Sequence, residues 1–274
     1  MSGAGRAGVF FQHLLNLIYP AICRHCELPI RSNGKPSPSE NIFFCGPCWQ
    51  TIPRLSSPAC PVCAAPFQSD AALSHSPGHV CGDCREDPPS FAHAVTPYRY
   101  EGVMVRAIRL LKYHKRTGLV PHLVALLMED LNKIEVDLVT AIPLHVSRLR
   151  SREFNQALVL AKEISRRMGW VFSLDALSRI RETEAQVGLS KKQRKKNLHR
   201  AFVVPDPNRI AGKKVLLMDD VYTTGATLKE GARTLMKAGA KEVVVCAPAR
   251  VVFGEARKSE IDGDSSSMLK IQSF

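Results

Sequence analysis

The sequence predicts an α/β fold, a parallel sheet flanked by helices, preceded by a small cysteine-rich module. Three observations carry this. After residue 89, short and nearly all-apolar runs alternate with stretches of helical periodicity, the pattern of parallel strands covered on both faces. Before it, eight of the nine cysteines fall in four CxxC pairs. Between them, "REDPPSF" carries the paired prolines Pro88 and Pro89 expected of a boundary. The expected division is 1–88 for an N-terminal helix and the cysteine-rich module, 89–254 for the α/β domain, and 255–274 for a polar, Ser-rich tail.

In chain order, "GVFFQHLLNLIYPAIC" comes first. Gln12, His13 and Asn16 break its apolar run, no cleavage site of small residues follows, and Pro20 ends it, so it reads as a short amphipathic helix rather than a signal peptide. Nowhere else do about 18 uncharged apolar residues run together. No membrane span is expected, and the expected compartment is the cytoplasm.

The cysteine pairs are Cys23/Cys26, Cys45/Cys48, Cys60/Cys63 and Cys81/Cys84. Two thiolates at this spacing reach one tetrahedral ion from a tight turn, and two such turns complete a tetrathiolate zinc site with Zn–S distances of about 2.3 Å. A redox CxxC would appear once, opening a helix, and a disulfide framework needs an oxidising compartment. Sequential pairing gives one zinc ribbon from Cys23, Cys26, Cys45 and Cys48 and another from Cys60, Cys63, Cys81 and Cys84; an interleaved arrangement of the same residues stays open. Closed tetrathiolate sites are structural, because catalytic zinc keeps a position for water. The module is thus a scaffold or a binding surface. Cys246, in "VVVCAPA", reads as a small buried hydrophobe.

In the second part, "VMVRAIRLLKYHK" and "LVPHLVALLMEDLNKI" have helical spacing and "VDLVTAIP" reads as a strand. A helix through "FNQALVLAKEISRRMG" closes at Gly169, and a basic stretch runs from Arg179 to Arg200. Then follow the strand-like "AFVV", the strand "KKVLLMDD", a helix through "TLKEGARTLMKAG" and the strand "KEVVVCAPA". Ligands of such sheets bind at the carboxyl ends of strands, where Asp219 and Asp220 fall.

The stretch "VLLMDDVYTTGATL" concentrates the chemistry. A turn is expected from Tyr222 to Ala226, with a helix starting near Thr227. Free N–H groups and the positive end of the dipole at a helix start form a phosphate site. Gly225 lets the backbone approach the anion, and Thr223, Thr224 and Thr227 add hydroxyls. The two carboxylates call for ribose hydroxyls or a bound Mg2+. An acidic loop followed by a capping threonine would leave both aspartates unexplained.

This stretch resembles the signature with which type I phosphoribosyltransferases bind phosphoribosyl pyrophosphate (PRPP): an apolar strand, two acidic residues, then Thr-Thr-Gly-x-Thr. The resemblance implies that Asp219 and Asp220 hold the ribose hydroxyls and that Thr223, Thr224, Gly225, Ala226 and Thr227 bind the 5-phosphate. Zinc ribbons joined to such a domain resemble the ComF family of competence-associated proteins over nearly the whole chain. "AIRLLKYHKR" is similar to that family's lysine-containing helix end, and "RETEAQVGLSKKQRKKNLHRAF" to its basic loop, with Gln186, Arg194 and Asn197 at matching places. "RLRSREFNQA" is similar to its Arg-Gly-Phe-Asn-Gln motif, with Glu153 in the glycine's place. By the same resemblance Ile142, Pro143, Leu144 and His145 offer backbone groups to the diphosphate, with Lys112, Arg148 and Arg152 as cationic helpers and Mg2+ accompanying PRPP.

The charge of +13 favours anionic partners. The resemblance implies two functions, with a regulatory PRPP binder that has no nucleic-acid partner as a third. One is phosphoribosyl transfer by electrostatic stabilisation, to an acceptor that no segment identifies. The other is a non-catalytic DNA-handling protein that uses PRPP as a structural or regulatory ligand, with single-stranded DNA and the competence machinery as the partners that family resemblance implies. The run from Lys191 to Lys196 serves either as a flap over PRPP or as a nucleic-acid patch.

Overall fold

The computed structural model describes residues 21–30, 41–55, 58–67, 78–145, 154–181 and 198–252. Arg148, Arg152, Gln186, the basic run at 191–196 with Arg194, Asn197, the N-terminal segment and the polar tail lie outside the described residues.

The cysteine-rich part is built twice on one plan. In the first copy Ile22 bridges Pro29, Cys23 N–H donates to Leu28 O at 2.9 Å, and Glu27 N–H donates back to Cys23 O at 3.0 Å. Cys45 then caps helix α1 (Gly46–Gln50). In the second, Ala59 bridges Pro66, Cys60 N–H donates to Ala65 O and Ala64 N–H to Cys60 O, both at 2.8 Å. Cys81 caps α2 (Gly82–Glu86). Each first CxxC is followed by a residue with positive φ, Glu27 at 62° and Ala64 at 58°, because the chain must reverse tightly to aim both thiols one way.

The α/β part runs β1 (His93–Val95), β2 (Tyr98–Arg99), α3 (Gly102–His114), α4 (Val120–Ala125), α5 (Met128–Leu131), β3 (Leu138–Ala141), α6 (Gln156–Met168), β4 (Val171–Phe172), β5 (Ser178–Arg179), β6 (Phe202–Val203), β7 (Lys214–Met218), β8 (Val221–Tyr222), α7 (Ala226–Lys237), β9 (Glu242–Cys246) and β10 (Ala249–Arg250). Five strands form a parallel sheet in the order β1-β9-β7-β3-β4. After a two-residue break in each, three of them resume in the same relative order as the parallel set β2-β10-β8.

Both faces are buried, which is why these strands read as unbroken apolar runs. Leu216, Met218, Val244 and Cys246 face a core shared with α3, α4 and α6, while Val215, Leu217, Val243 and Val245 face one shared with α7. Cys246 is fully buried there. The two cysteine-rich repeats take opposite sides: Cys23, Phe44 and Ile52 belong to the first core, Cys60, Cys63 and Cys84 to the second. Close packing of α7 depends on Gly231, where an added Cβ would lie 2.9 Å from both Ile142 Cδ1 and Leu217 Cδ2.

Two elements differ from expectation. The segment after Thr117 is broken into short helices, α4 with Pro121 in its first turn and α5 after a tight turn in which Leu127 N–H donates to Val124 O at 2.9 Å. The strand in "AFVV" pairs antiparallel with β5, outside the main sheet; only Phe202 of its two residues is buried. Among the described residues no helix is long and apolar enough to cross a membrane.

Candidate functional site

Asp219 and Asp220 occupy the break between β7 and β8, at the carboxyl end of the central strand. Asp219 N–H donates to Cys246 O at 2.9 Å and Asp220 N–H to Asp219 Oδ1 at 2.8 Å, which fixes the break. Their environments diverge. Asp220 is buried; its Oδ2 accepts from Gln156 Nε2 at 2.8 Å and lies 3.3 Å from Lys112 Nζ. Asp219 is half-buried. Burial works against the Asp220 charge, but the Lys112 ammonium and the Gln156 amide outweigh it and hold that carboxyl below the usual aspartate range. Burial, then the Asp220 charge, pushes Asp219 well above that range. The pair thus holds one charge firmly and the second reluctantly.

The loop that follows departs slightly from the sequence expectation. Tyr222 is in β8 rather than in the turn, and α7 starts at Ala226 with Gly225 as its cap. Thr227 is therefore inside the first turn. Gly225 has φ +74°, and an added Cβ would lie 2.3 Å from the Tyr222 hydroxyl, so both conformation and space require glycine. Thr224 Oγ1 is buried without a hydrogen-bond partner. First-turn N–H groups of α7 are unsatisfied within the helix, and they follow Thr223 and Thr224 directly in the chain.

The segment 142–145 follows β3, next to β7 in the sheet. Ile142 N–H donates to Met218 O at 2.8 Å, and Ile142 O accepts from Asn155 Nδ2 at 2.9 Å. Both backbone groups of Ile142 are spent within the fold, and Pro143 has no N–H. Asn155 does double duty, since its Oδ1 also caps α6 by accepting from Ala157 N–H at 3.0 Å and Leu158 N–H at 3.3 Å.

The eight cysteines form two groups, Cys23, Cys26, Cys45, Cys48 and Cys60, Cys63, Cys81, Cys84, with the sulfurs of each within 4.8 Å of one another. The pairing is sequential. Cys45 N–H points at Cys23 Sγ and Cys81 N–H at Cys60 Sγ, both at 3.4 Å. Burial opposes ionisation of Cys23, yet backbone N–H donors bring its thiol down to about 6, favouring the thiolate a metal needs. Four soft sulfurs converging without an open position fit structural zinc.

Comparison with known proteins agrees with this anatomy. A family model for the phosphoribosyl transferase domain matches residues 155–274, and one for the double zinc ribbon domain matches residues 14–88. The DNA utilization protein YhgH of Escherichia coli K12 is 30% identical over 236 residues, covering 84% of this chain and 96% of that protein. The chain belongs to the ComF family. Competence protein F of Haemophilus influenzae is 29% identical, over 83% of this chain and 96% of that one. Competence protein ComFC of Bacillus subtilis is 27% identical, over 74% and 80%.

In this ComF-family chain the sheet brings together Asp219, Asp220, the 223–227 loop, Ile142 and Lys112. Lys112 stands 3.3 Å from Asp220 Oδ2. Gln156 was legible only as a motif position; its partner lies 64 residues away, which no local pattern reveals. Tyr100, half-buried against the first core, has its hydroxyl pKa raised by burial, with Lys112 opposing and the Asp220 charge adding; nothing in its local sequence marks it.

Proposed function

We propose that this protein binds PRPP with Mg2+ and transfers its phosphoribosyl group to an acceptor. The observation that carries the reading is the strand break at Asp219–Asp220, followed across β8 by the Gly225-capped start of α7. In this reading the loop N–H groups and the Thr223, Thr224 and Thr227 hydroxyls take the 5-phosphate, and Asp219 and Asp220 accept from the ribose 2′- and 3′-hydroxyls. Asp220, kept anionic by Lys112 and Gln156, favours the positive charge that grows at the anomeric carbon as the diphosphate leaves. Leu144, His145 and Arg152 stand for the diphosphate's side. On giving up its proton, the half-buried Asp219 carboxyl would offer the hard oxygen that suits Mg2+, and the ion would supply charge neutralisation for the diphosphate. No covalent nucleophile is needed.

A second reading, DNA handling without catalysis, is favoured by the printed names of the relatives, a DNA utilization protein and competence proteins, and by the charge of +13. In it single-stranded DNA contacts the basic run at 191–196, and PRPP is a regulatory ligand in a protein of the DNA-uptake machinery.

Calorimetric titration of zinc-loaded protein with PRPP and Mg2+, beside an Asp219→Asn, Asp220→Asn double variant, tests the first reading. Micromolar-range binding that the variant loses supports it, and pyrophosphate release on adding an acceptor establishes transfer. Absence of binding by folded wild type overturns it and leaves the DNA-handling reading.

A further inference from the structure

A buried cation stands opposite Tyr222 of β8, and among the described residues no carboxylate pairs with it. Arg250, in β10, is only 7% exposed. Its Nη1 donates to the carbonyl of Cys63, its guanidinium lies 4.7 Å from the Tyr222 ring centroid, and its Nε is buried with no hydrogen-bond partner. No Asp or Glu among the described residues forms an ion pair with it. A buried guanidinium so placed is costly unless an opposite charge compensates it. The charge within reach is the second cysteine cluster: four thiolates around a divalent zinc ion carry a net charge of about −2, and Cys63 is one of the four.

Tyr222 links this cation to the loop. Its hydroxyl occupies the space that a side chain at Gly225 would need, so ring and loop backbone are in contact. Burial raises its pKa, the Cys63, Cys84 and Cys81 thiols add to the rise and the Arg250 cation opposes it. A second strut runs parallel. Lys229, one turn into α7, donates to Asp87 O at 2.8 Å and lies 3.3 Å from Asp87 Oδ2, directly after α2. The first ribbon is joined elsewhere: Trp49 packs edge-on to His122 of α4 at 6.1 Å, and Arg106 of α3 donates to Arg24 O at 2.9 Å.

We propose that the second zinc site positions the 223–227 loop through Arg250 and Tyr222, so that metal in that ribbon and a phosphate ester on the loop strengthen each other's binding. Arg250 and Tyr222 are positioning residues, and neither touches the ligand. The inference rests on the reading of the loop as a phosphate cradle. Such coupling is reciprocal: whatever factor zinc adds to ligand affinity, the ligand adds to zinc affinity.

The test is chelator competition for zinc on the full-length, zinc-loaded protein, with and without saturating ribose 5-phosphate. Two sites should titrate. Ribose 5-phosphate should raise the zinc affinity of one by about fivefold or more, and a Cys23→Ser variant, which lacks the first site, should keep the effect. Arg250→Met should abolish it and weaken ribose 5-phosphate binding by a similar factor, with Arg250→Lys restoring part. If Arg250→Met does not retain two zinc ions, Tyr222→Leu interrupts the same path while sparing the Arg250–Cys63 bond, and should likewise remove the effect. Ribose 5-phosphate that binds wild type in calorimetry yet leaves both zinc affinities unchanged overturns the coupling and leaves the ligand assignment standing. No binding by folded wild type overturns both.

Discussion

The side-chain amide of Gln156, at the first position of α6, donates to the carboxylate of Asp220 at 2.8 Å. A polar residue only 4% exposed is thereby committed to one oxygen of the acidic pair. Gln156→Leu keeps the volume and removes the donor. Hydrogen bonds to charged groups contribute about 1.5–3 kcal/mol, so the variant should lose stability of that order in urea unfolding and bind PRPP more weakly.

The two aspartates should respond oppositely to neutralisation. Asp219 has its folded pKa raised, so the folded state holds its proton where the unfolded chain has released it, and stability falls as pH rises above the unfolded value. Asp219→Asn should therefore stabilise at pH 7.5, by about 0.5–2 kcal/mol, with the gain shrinking towards pH 4. Asp220 has its folded pKa lowered; its contribution is present above the unfolded value and is lost as pH falls through the folded one. Asp220→Asn should destabilise at pH 7.5, because Lys112 loses its 3.3 Å partner. Thermal unfolding across this pH range separates the two, while both variants should lose PRPP.

Gly225→Ala meets two obstacles, a φ of +74° and the Tyr222 hydroxyl 2.3 Å from the new Cβ. Backbone strain of this kind costs about 1–3 kcal/mol, and the clash adds to it. Thermal unfolding should register the loss, and calorimetry should find no ribose 5-phosphate binding.

Purified protein should contain two zinc ions per chain by elemental analysis, one for each group of four cysteines. Cys23→Ser and Cys84→Ser should each reduce this to one. Complete chelation should make residues 21–30 and 58–67 sensitive to protease, since small zinc modules draw their folding free energy from the metal.

The alternation of strands and helices, the four cysteine pairs and the acidic-threonine stretch were all legible because each is a local pattern, written within about 15 residues. Cys23 to Cys48 and Cys60 to Cys84 pair in sequence order, which spacing had left open. What escaped has a common cause. The resumption of β7 as β8 depends on β10 lying alongside, as Ala249 opposite Val221; the local pattern reads only as a turn. Ile142 N–H donates to Met218 O and Ile142 O accepts from Asn155 Nδ2, partners that the local pattern of "AIPLH" does not reveal. Lys112 and Asp220 meet at 3.3 Å from positions far apart in the chain. Each is a choice between partners made by tertiary contact, and single-chain periodicity carries no information on it.

The placement of the two cysteine-rich repeats on opposite faces of the sheet changes what a truncation would do. Phe44 and Ile52 complete one core, and Cys60, Cys63 and Cys84 the other. A protein begun at residue 89 would be a sheet stripped of both bookends, with apolar ground newly open to water on each side, and self-association would be its first recourse.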